Sequence, residues 1–171
     1  MLSFRMAMLA DVASIVALVN AAYRGDSSRA GWTTEADLLN GQRTDADEVS
    51  NFILSNESFI LLCLDNDELL GCVHLQHAHH VAYLGMLVIR PDMQGHGFGK
   101  KLMQAAEEAA LKMWGVDKML MYVITFRHEL IAFYERRGYR RTGKVKEFPA
   151  ETRFGMPKVA NLQLELMEKL F

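Results

Sequence analysis

A chain of 171 residues is of single-domain size and long enough to close one hydrophobic core. Half of its residues are apolar and 23% are charged, the balance of a globular protein rather than a disordered one. A net charge of −2 argues against a surface built to hold nucleic acid, and no apolar run approaches the ~20 residues of a membrane span.

In chain order, Phe4 to Leu9 alternates weakly and reads as a first strand. Asp11 then caps a helical pattern carrying Ile15, Leu18 and Val19. Gly25 to Gly31 is a polar break, after which Thr33 or Thr34 is expected to cap a short helix with Leu38 and Leu39. Asp45 opens another helix, with Val49, Phe52 and Ile53 on one face. Phe59–Leu64 and Leu69–Gln76 are β-rich runs joined by Asp65-Asn66-Asp67, which is turn chemistry, so the pair reads as a hairpin. Val81 to Ile89 is a further strand, ended by Pro91.

From Gly97 the period becomes helical, with Phe98, Leu102, Ala106, Ala109 and Met113 on one face and Gly115 as the stop. Met119–Ile124 is a strand and Glu129–Arg137 a helix stopped by Gly138. Tyr139–Thr142 and Leu162–Met167 read as final strands. The order is helices, an antiparallel hairpin, then strand–helix–strand–helix–strand. That is an α+β fold with a mixed sheet and helices on both faces, in one domain spanning 1–171.

Cys63 and Cys72 make no disulfide framework and are expected to be buried, reduced thiols. The opening residues lack the pattern of a signal peptide, so a cytoplasmic protein is expected. His74, His77, His79 and His80 cluster in sequence, yet strand side chains alternate between faces, so they cannot all converge on one metal. No metal is expected.

The most informative segment is Ile89-Arg90-Pro91-Asp92-Met93-Gln94-Gly95-His96-Gly97-Phe98-Gly99. It leaves a strand, turns through glycines and enters an amphipathic helix. N–H groups at a helix start have no partner within the helix and lie at the positive end of its dipole. Glycines let phosphate oxygens approach them, which makes an anion cradle suited to a pyrophosphate. A tight strand-to-helix connection without a ligand has the same spacing. Two other glycine loops are disfavoured. Gly99-Lys100 is followed by Lys101 rather than by the Ser or Thr of a nucleotide P-loop. Lys100 also stands where a dinucleotide fingerprint has its third glycine.

Gln94, Gly97 and Gly99, with Gly95 and the preceding Leu87, Ile89 and Pro91, resemble the acetyl-CoA-binding motif of the GNAT superfamily. Downstream, Phe133-Tyr134-Glu135-Arg136-Arg137-Gly138-Tyr139 is similar to that family's second signature, and Phe4-Arg5-Met6-Ala7 with Asp11 resembles a common opening. The resemblance covers roughly residues 3–145. It implies a mostly antiparallel central sheet in αββ-βαβαβ order around an acetyl-CoA cleft, and an N-acetyltransferase with acetyl-CoA as co-substrate. The acceptor it implies is an amine on a small molecule or peptide; no nucleic acid or membrane partner is expected, and a homodimer is a family-level expectation. The alternative is a non-catalytic acyl-CoA-binding sensor, or thioesterase-like turnover without an acceptor.

Carried onto this chain, the resemblance places the cofactor against Leu87, Val88, Ile89, Gln94, Gly95, His96, Gly97, Phe98, Gly99 and Lys100. The strand around Leu87–Ile89 is expected to be splayed, so that its backbone N–H groups meet the thioester carbonyl. Tyr134 matches the family's general acid for the departing sulfur; the alternative is a packing role beside Phe133. Glu35, His74 and His77 are candidate bases, Glu35 also reading as an ordinary acid in a helix's first turn. Arg127 stands where many members carry an Asn that meets the pantetheine arm, so either it reaches a cofactor phosphate or it is a solvated arginine at a helix start. The acceptor pocket is expected from two flanking segments, Tyr23–Glu35 and Glu147–Phe154, with Glu151 and Arg153 among its charged groups.

Overall fold

The computed structural model describes residues 1–149 and 153–171. Among the described residues, nine strands and four α-helices follow in order: β1 (Leu2–Met6), α1 (Val12–Tyr23), β2 (Leu39–Asn40), α2 (Ala46–Leu54), β3 (Ser58–Asp65), β4 (Glu68–Ala78), β5 (Val81–Ile89), α3 (Phe98–Trp114), β6 (Lys118–Ile124), α4 (His128–Glu135), β7 (Arg140–Glu147), β8 (Met156–Pro157) and β9 (Gln163–Leu170). Seven strands form the main sheet in the order β1-β3-β4-β5-β6-β9-β7, and β2 pairs with β8 apart from it. Every pairing in the main sheet is antiparallel except that of β5 with β6. The expected α+β fold is the observed one.

β3 shows why its sequence reads as a continuous apolar run rather than an alternation. It is covered on both faces, and such strands carry no polar side. Phe59, Leu61 and Cys63 join the core under α3 and α4, while Ile60, Leu62 and Leu64 join the core under α1 and α2. Asn66 and Asp67 take the left-handed conformation that a tight β3–β4 turn requires. Cys63 and Cys72 are free thiols lying in different cores, and burial pushes them up to about 11 and about 12.

Several expectations need correction. β1 ends at Met6 rather than Leu9, because Asp11 accepts from the Met8 N–H at 2.8 Å and pairs with Arg5, turning the chain before α1. Asp11 therefore closes that turn and makes no side-chain cap on α1. No helix follows Thr33 and Thr34. Thr33 accepts from Gln94, Thr34 bonds Ser28 and the Ala36 N–H, and Leu39 enters β2 instead. Asp45 does cap α2, accepting from the Glu48 N–H at 2.9 Å. The buried face of α3 runs through Leu102, Met103, Ala106 and Ala110, leaving Met113 48% exposed.

The feature that positions the site lies between β5 and β6. Their parallel pairing covers only Val81–Tyr83 against Lys118–Leu120, and beyond it the strands diverge. β5 also slips register against β4, where Cys72 faces Val88 but His74 faces Gly85. The extra β5 residues fall at a bulge where Met86 holds φ of 48°. A non-glycine residue at that φ costs about 1–3 kcal/mol, and such strain gathers at functional sites.

Candidate active site

The divergence opens a cleft with two chambers. One, of about 380 Å³, lies between β5, β6 and the loops after α1, and its walls include Glu35, His74 and Tyr134. The other, of about 340 Å³, lies over the start of α3, with Gly97, Lys100 and Arg137 on its walls. Leu87 and Leu130 line both, so the chambers meet at the bulged end of β5.

The second chamber gathers unpaired backbone donors and positive charge. Gly97 caps α3 in the left-handed region with φ of 80°, and there is open space where a Cβ would stand. Among the described residues, the backbone N–H groups from Gly95 to Lys100 donate to no protein backbone. Such N–H groups, at the positive end of a seventeen-residue helix, call for phosphate oxygens. Lys100, Arg136 and Arg137 add positive charge. Arg137 lies 3.6 Å over the Phe133 ring, and its Nε is buried without a partner. His96 keeps to the loop, its Nδ1 near the carbonyls of Met93 and Gln94. The Gln94 side chain is turned inward: it accepts from the Trp32 N–H at 2.8 Å and donates to Thr33 Oγ1 and the Ile89 carbonyl. Gly31 must be glycine for this, since a Cβ there would lie 2.5 Å from Gln94 Oε1.

On the β5 edge facing the gap, the Leu87 carbonyl accepts from the Tyr23 hydroxyl and the Ile89 carbonyl from Gln94. β5 has no β6 partner beyond Tyr83, so strand N–H groups on that edge open toward the cleft. Burial pushes Tyr23 up to about 12, which keeps its hydroxyl a donor. Tyr134 is 5% exposed, and its hydroxyl makes no hydrogen bond among the described residues. Burial raises its pKa most, the neighbouring Tyr23 and Glu35 add to that, and Arg127 opposes it. The phenol thus holds its proton throughout the neutral range.

The first chamber carries a buried charge hub. Glu35 receives Arg24 Nε at 3.0 Å on one carboxylate oxygen and Arg127 Nη1 at 3.3 Å on the other. Arg24 also donates to the carbonyls of Gly41, Gln42 and Phe154, and Arg127 to that of Thr33. His74 stacks on Phe52 at 3.6 Å and bonds Ser58 through Nε2 at 2.7 Å. Burial first, then the charge of Arg43, lower its pKa to about 4, so it is neutral at pH 7. His77 points elsewhere, pairing with Glu57 and stacking on Trp114.

A model of the acetyltransferase (GNAT) family matches residues 18–139. The chain belongs to that family. A search of curated proteins finds no match. Among solved structures, the chain is similar to a GNAT-family acetyltransferase from Streptococcus pneumoniae, at 21% identity, full coverage of both chains and a TM-score of 0.70. It is similar to mutant forms of the spermidine/spermine N-acetyltransferase of Vibrio cholerae, at 21% identity, 99% and 95% coverage and a TM-score of 0.69. It is also similar to the ribosomal-protein-S18-alanine N-acetyltransferase of Escherichia coli, at 15% identity, 99% and 94% coverage and a TM-score of 0.73. At these identities the likeness is one of fold; family membership is what makes the chain an N-acetyltransferase.

Within this GNAT domain, the expected residues fall in different places. Leu87, Ile89, Gln94, Gly95, Gly97, Phe98, Gly99 and Lys100 gather in the second chamber. Arg127 does not: it lies in the first chamber, buried against Glu35, neither solvated nor beside the phosphate cradle. Each Glu35 carboxylate oxygen accepts one guanidinium hydrogen bond, and the residue sits in a loop rather than in a helix's first turn. Of the flanking segments, Tyr23, Arg24, Phe148 and Phe154 line the first chamber with Glu35, while Arg29 pairs with Asp37 and Arg153 with Asp45 outside it. Glu147 lies on β7, and Glu151 lies outside the described residues. Arg136 and Arg137 at the phosphate cradle were legible as part of the second signature, but their charge went unused. Arg43, in the first chamber, has no motif around it and was missed.

Among the described residues, no group of three or more His, Cys, Asp or Glu is placed to hold a metal, and no helix is long and apolar enough to cross a membrane.

Proposed function

We propose that the protein transfers an acetyl group from acetyl-CoA to a primary amine of a small molecule or peptide. The observation that carries this reading is Tyr134, a buried ring whose hydroxyl makes no hydrogen bond among the described residues and lines the first chamber, close to where that chamber meets the glycine-loop chamber at Leu87 and Leu130. The donor's pyrophosphate fits the Gly95–Lys100 N–H groups, with Lys100, Arg136 and Arg137 beside it. The gap between β5 and β6 then leads its acyl end toward Leu87.

The chemistry follows from these positions. The amine nitrogen attacks the thioester carbonyl carbon, and negative charge builds on the carbonyl oxygen. N–H groups on the open β5 edge around Leu87–Ile89 stabilise that charge without reorganising. The C–S bond breaks, the sulfur keeps the bonding pair, and Tyr134 gives it a proton. The proton lost by the amine returns to the phenolate through solvent. Glu35 is better suited to holding Arg24 and Arg127 than to taking that proton, because both of its oxygens are engaged. His74 is neutral and lines the chamber, so it is the acceptor-side group able to receive a hydrogen bond from the amine.

Incubation with acetyl-CoA and a panel of amines, following both free thiol and acetylated product, tests the reading. Thiol release that requires an amine, with product formed in equal amount, supports it. Thiol release without product indicates thioester hydrolysis, and acetyl-CoA binding without release indicates a sensor.

A further inference from the structure

We infer that the acceptor amine carries a carboxylate, as an amino acid does, and that Arg43 is the residue that recognises it. This inference rests on the acetyl-transfer reading above and concerns its acceptor chamber.

The first point is charge. Arg24, Arg43 and Arg127 face the first chamber, against the single carboxylate of Glu35 among the described lining residues, and His74 is neutral there. Lys146 sits 3.8 Å over the ring of Tyr122, a residue of the same chamber wall. The chamber is therefore cationic. A polyamine entering it would meet like charge at every step, whereas a carboxylate is drawn in.

The second point is which cation has donors to offer. Arg24 and Arg127 are committed to Glu35 and to backbone carbonyls. Among the described residues, the Arg43 guanidinium makes no hydrogen bond. Its nearest carboxylate oxygen, on Glu48, is 3.9 Å away, and that carboxylate accepts from Thr44. The Arg43 side chain is 28% exposed, and among the described residues its planar donor fork has no carboxylate within hydrogen-bond distance, so it stands open at the chamber wall. A carboxylate is the group that matches that fork with two parallel hydrogen bonds.

The third point is that Arg43 is held in place. Asn20 on α1 accepts from the backbone N–H groups of Arg43 and Thr44, at 2.7 and 3.1 Å, and donates to the Thr44 carbonyl. The guanidinium carbon then lies 5.9 Å from the Tyr23 ring centroid, and Arg127 lies 5.7 Å from the same ring. Tyr23 in turn bonds the Leu87 carbonyl, so Arg43 is tied to the point where the two chambers meet. An amine close to the carboxylate of one small molecule can reach the acyl group from that anchor. Phe148, Phe154, Tyr83 and Tyr122 form apolar wall around it. The same positive charge disfavours the ammonium form of the bound amine, which helps supply the neutral nucleophile.

The test is acetylation of L-amino acids against their own carboxamides and against spermidine, at fixed acetyl-CoA. The carboxamide amine is the less basic of each pair, so intrinsic reactivity at neutral pH favours the amide, and preference for the acid reports recognition. We expect the acids to be preferred by at least about tenfold in kcat/KM, the scale of a charge-assisted hydrogen bond. Arg43→Gln is expected to bring the acid-to-amide ratio close to one through a raised acceptor KM, with acetyl-CoA KM unmoved, and Arg43→Lys to restore part of the ratio. If wild type prefers the carboxamides or spermidine, or if Arg43→Gln keeps the preference, the inference falls while acetyl transfer stands. If no amine is acetylated, both fall.

Discussion

Replacing Glu35 by glutamine separates a charge hub from a general base, because the two roles predict opposite pairs of results. The carboxylate is 7% exposed and sits between two guanidiniums whose side chains are 5% and 9% exposed. Removing one member of a buried ion pair usually costs about 3–5 kcal/mol, since the remaining charge is left without compensation. Here the cost is moderated. Arg24 retains three backbone carbonyls, Arg127 retains the Thr33 carbonyl, and glutamine still offers one oxygen. The expected loss is about 2–3 kcal/mol. For a domain of this size that lowers Tm by about 4–12 °C. Thermal and urea melts measure it, and steady-state acetylation of any identified acceptor is followed alongside. The hub predicts a lowered Tm with an acceptor KM raised by the disturbed chamber, and a pH–rate profile that keeps its limbs. A Tm within about 1 °C of wild type, together with a kcat fall of about 10²-fold or more, would refute it and return Glu35 to the role of base.

Three other outcomes are expected. Tyr134→Phe keeps the ring packed and removes the proton, so kcat should fall by about 10²–10⁴-fold with little change in acetyl-CoA affinity; an unchanged rate with chemistry rate-limiting excludes the acid role. Gly97→Val places a branched side chain at φ of 80°, in the mouth of the N–H cradle. Calorimetry should then find acetyl-CoA binding abolished in a folded protein, and wild-type affinity would contradict the cradle assignment. His74 titrates near 6.5 in the unfolded chain but about 4 when folded, so the unfolded state binds the extra proton between those values. Stability is intact above pH 6.5 and is lost as pH falls toward 4, by up to about 3 kcal/mol at about 1.4 kcal/mol per unit. Urea melts of His74→Gln should show a flatter acid limb, and parallel curves for the two proteins would place the titration elsewhere.

The fold was legible wherever local pattern and tertiary burial agree. The β3–β4 hairpin, β5 to its last residue, and the start and stop of α3 all follow from turn residues, proline and glycine. Failures occurred where a distant partner decides. β7 runs to Glu147 although its residues beyond Thr142 are exposed and mostly charged, because its register comes from β9 rather than from a buried apolar face. The loop at Thr33–Leu39 carries the signals of a capped helix, but Gln94 and Ser28, far along the chain or across a turn, take both threonine hydroxyls. A side chain can satisfy a helix start or a tertiary contact, and no window around Thr33 reveals which one it will choose.

The same distinction divides the site. The glycine loop was readable because one continuous strand–loop–helix segment makes it: the glycines, the free N–H groups and the helix dipole all belong to residues 89–114. The first chamber has no such segment. Its charge hub is assembled from Arg24 at the end of α1, Glu35 and Arg43 in loops, and Arg127 ahead of α4. Each looks like an ordinary surface residue in its own window. Tertiary packing sets what each can bind, because a guanidinium offers its donors to whatever acceptor lies in reach, and only the folded structure says whether the protein supplies one. For Arg24 and Arg127 it does; for Arg43, among the described residues, it does not. Family membership therefore accounts for the acetyltransferase activity, while the acceptor inferred above rests on how donors and acceptors balance across four separate stretches of chain. On the inference above, a carboxylate on the amine is what would close that balance.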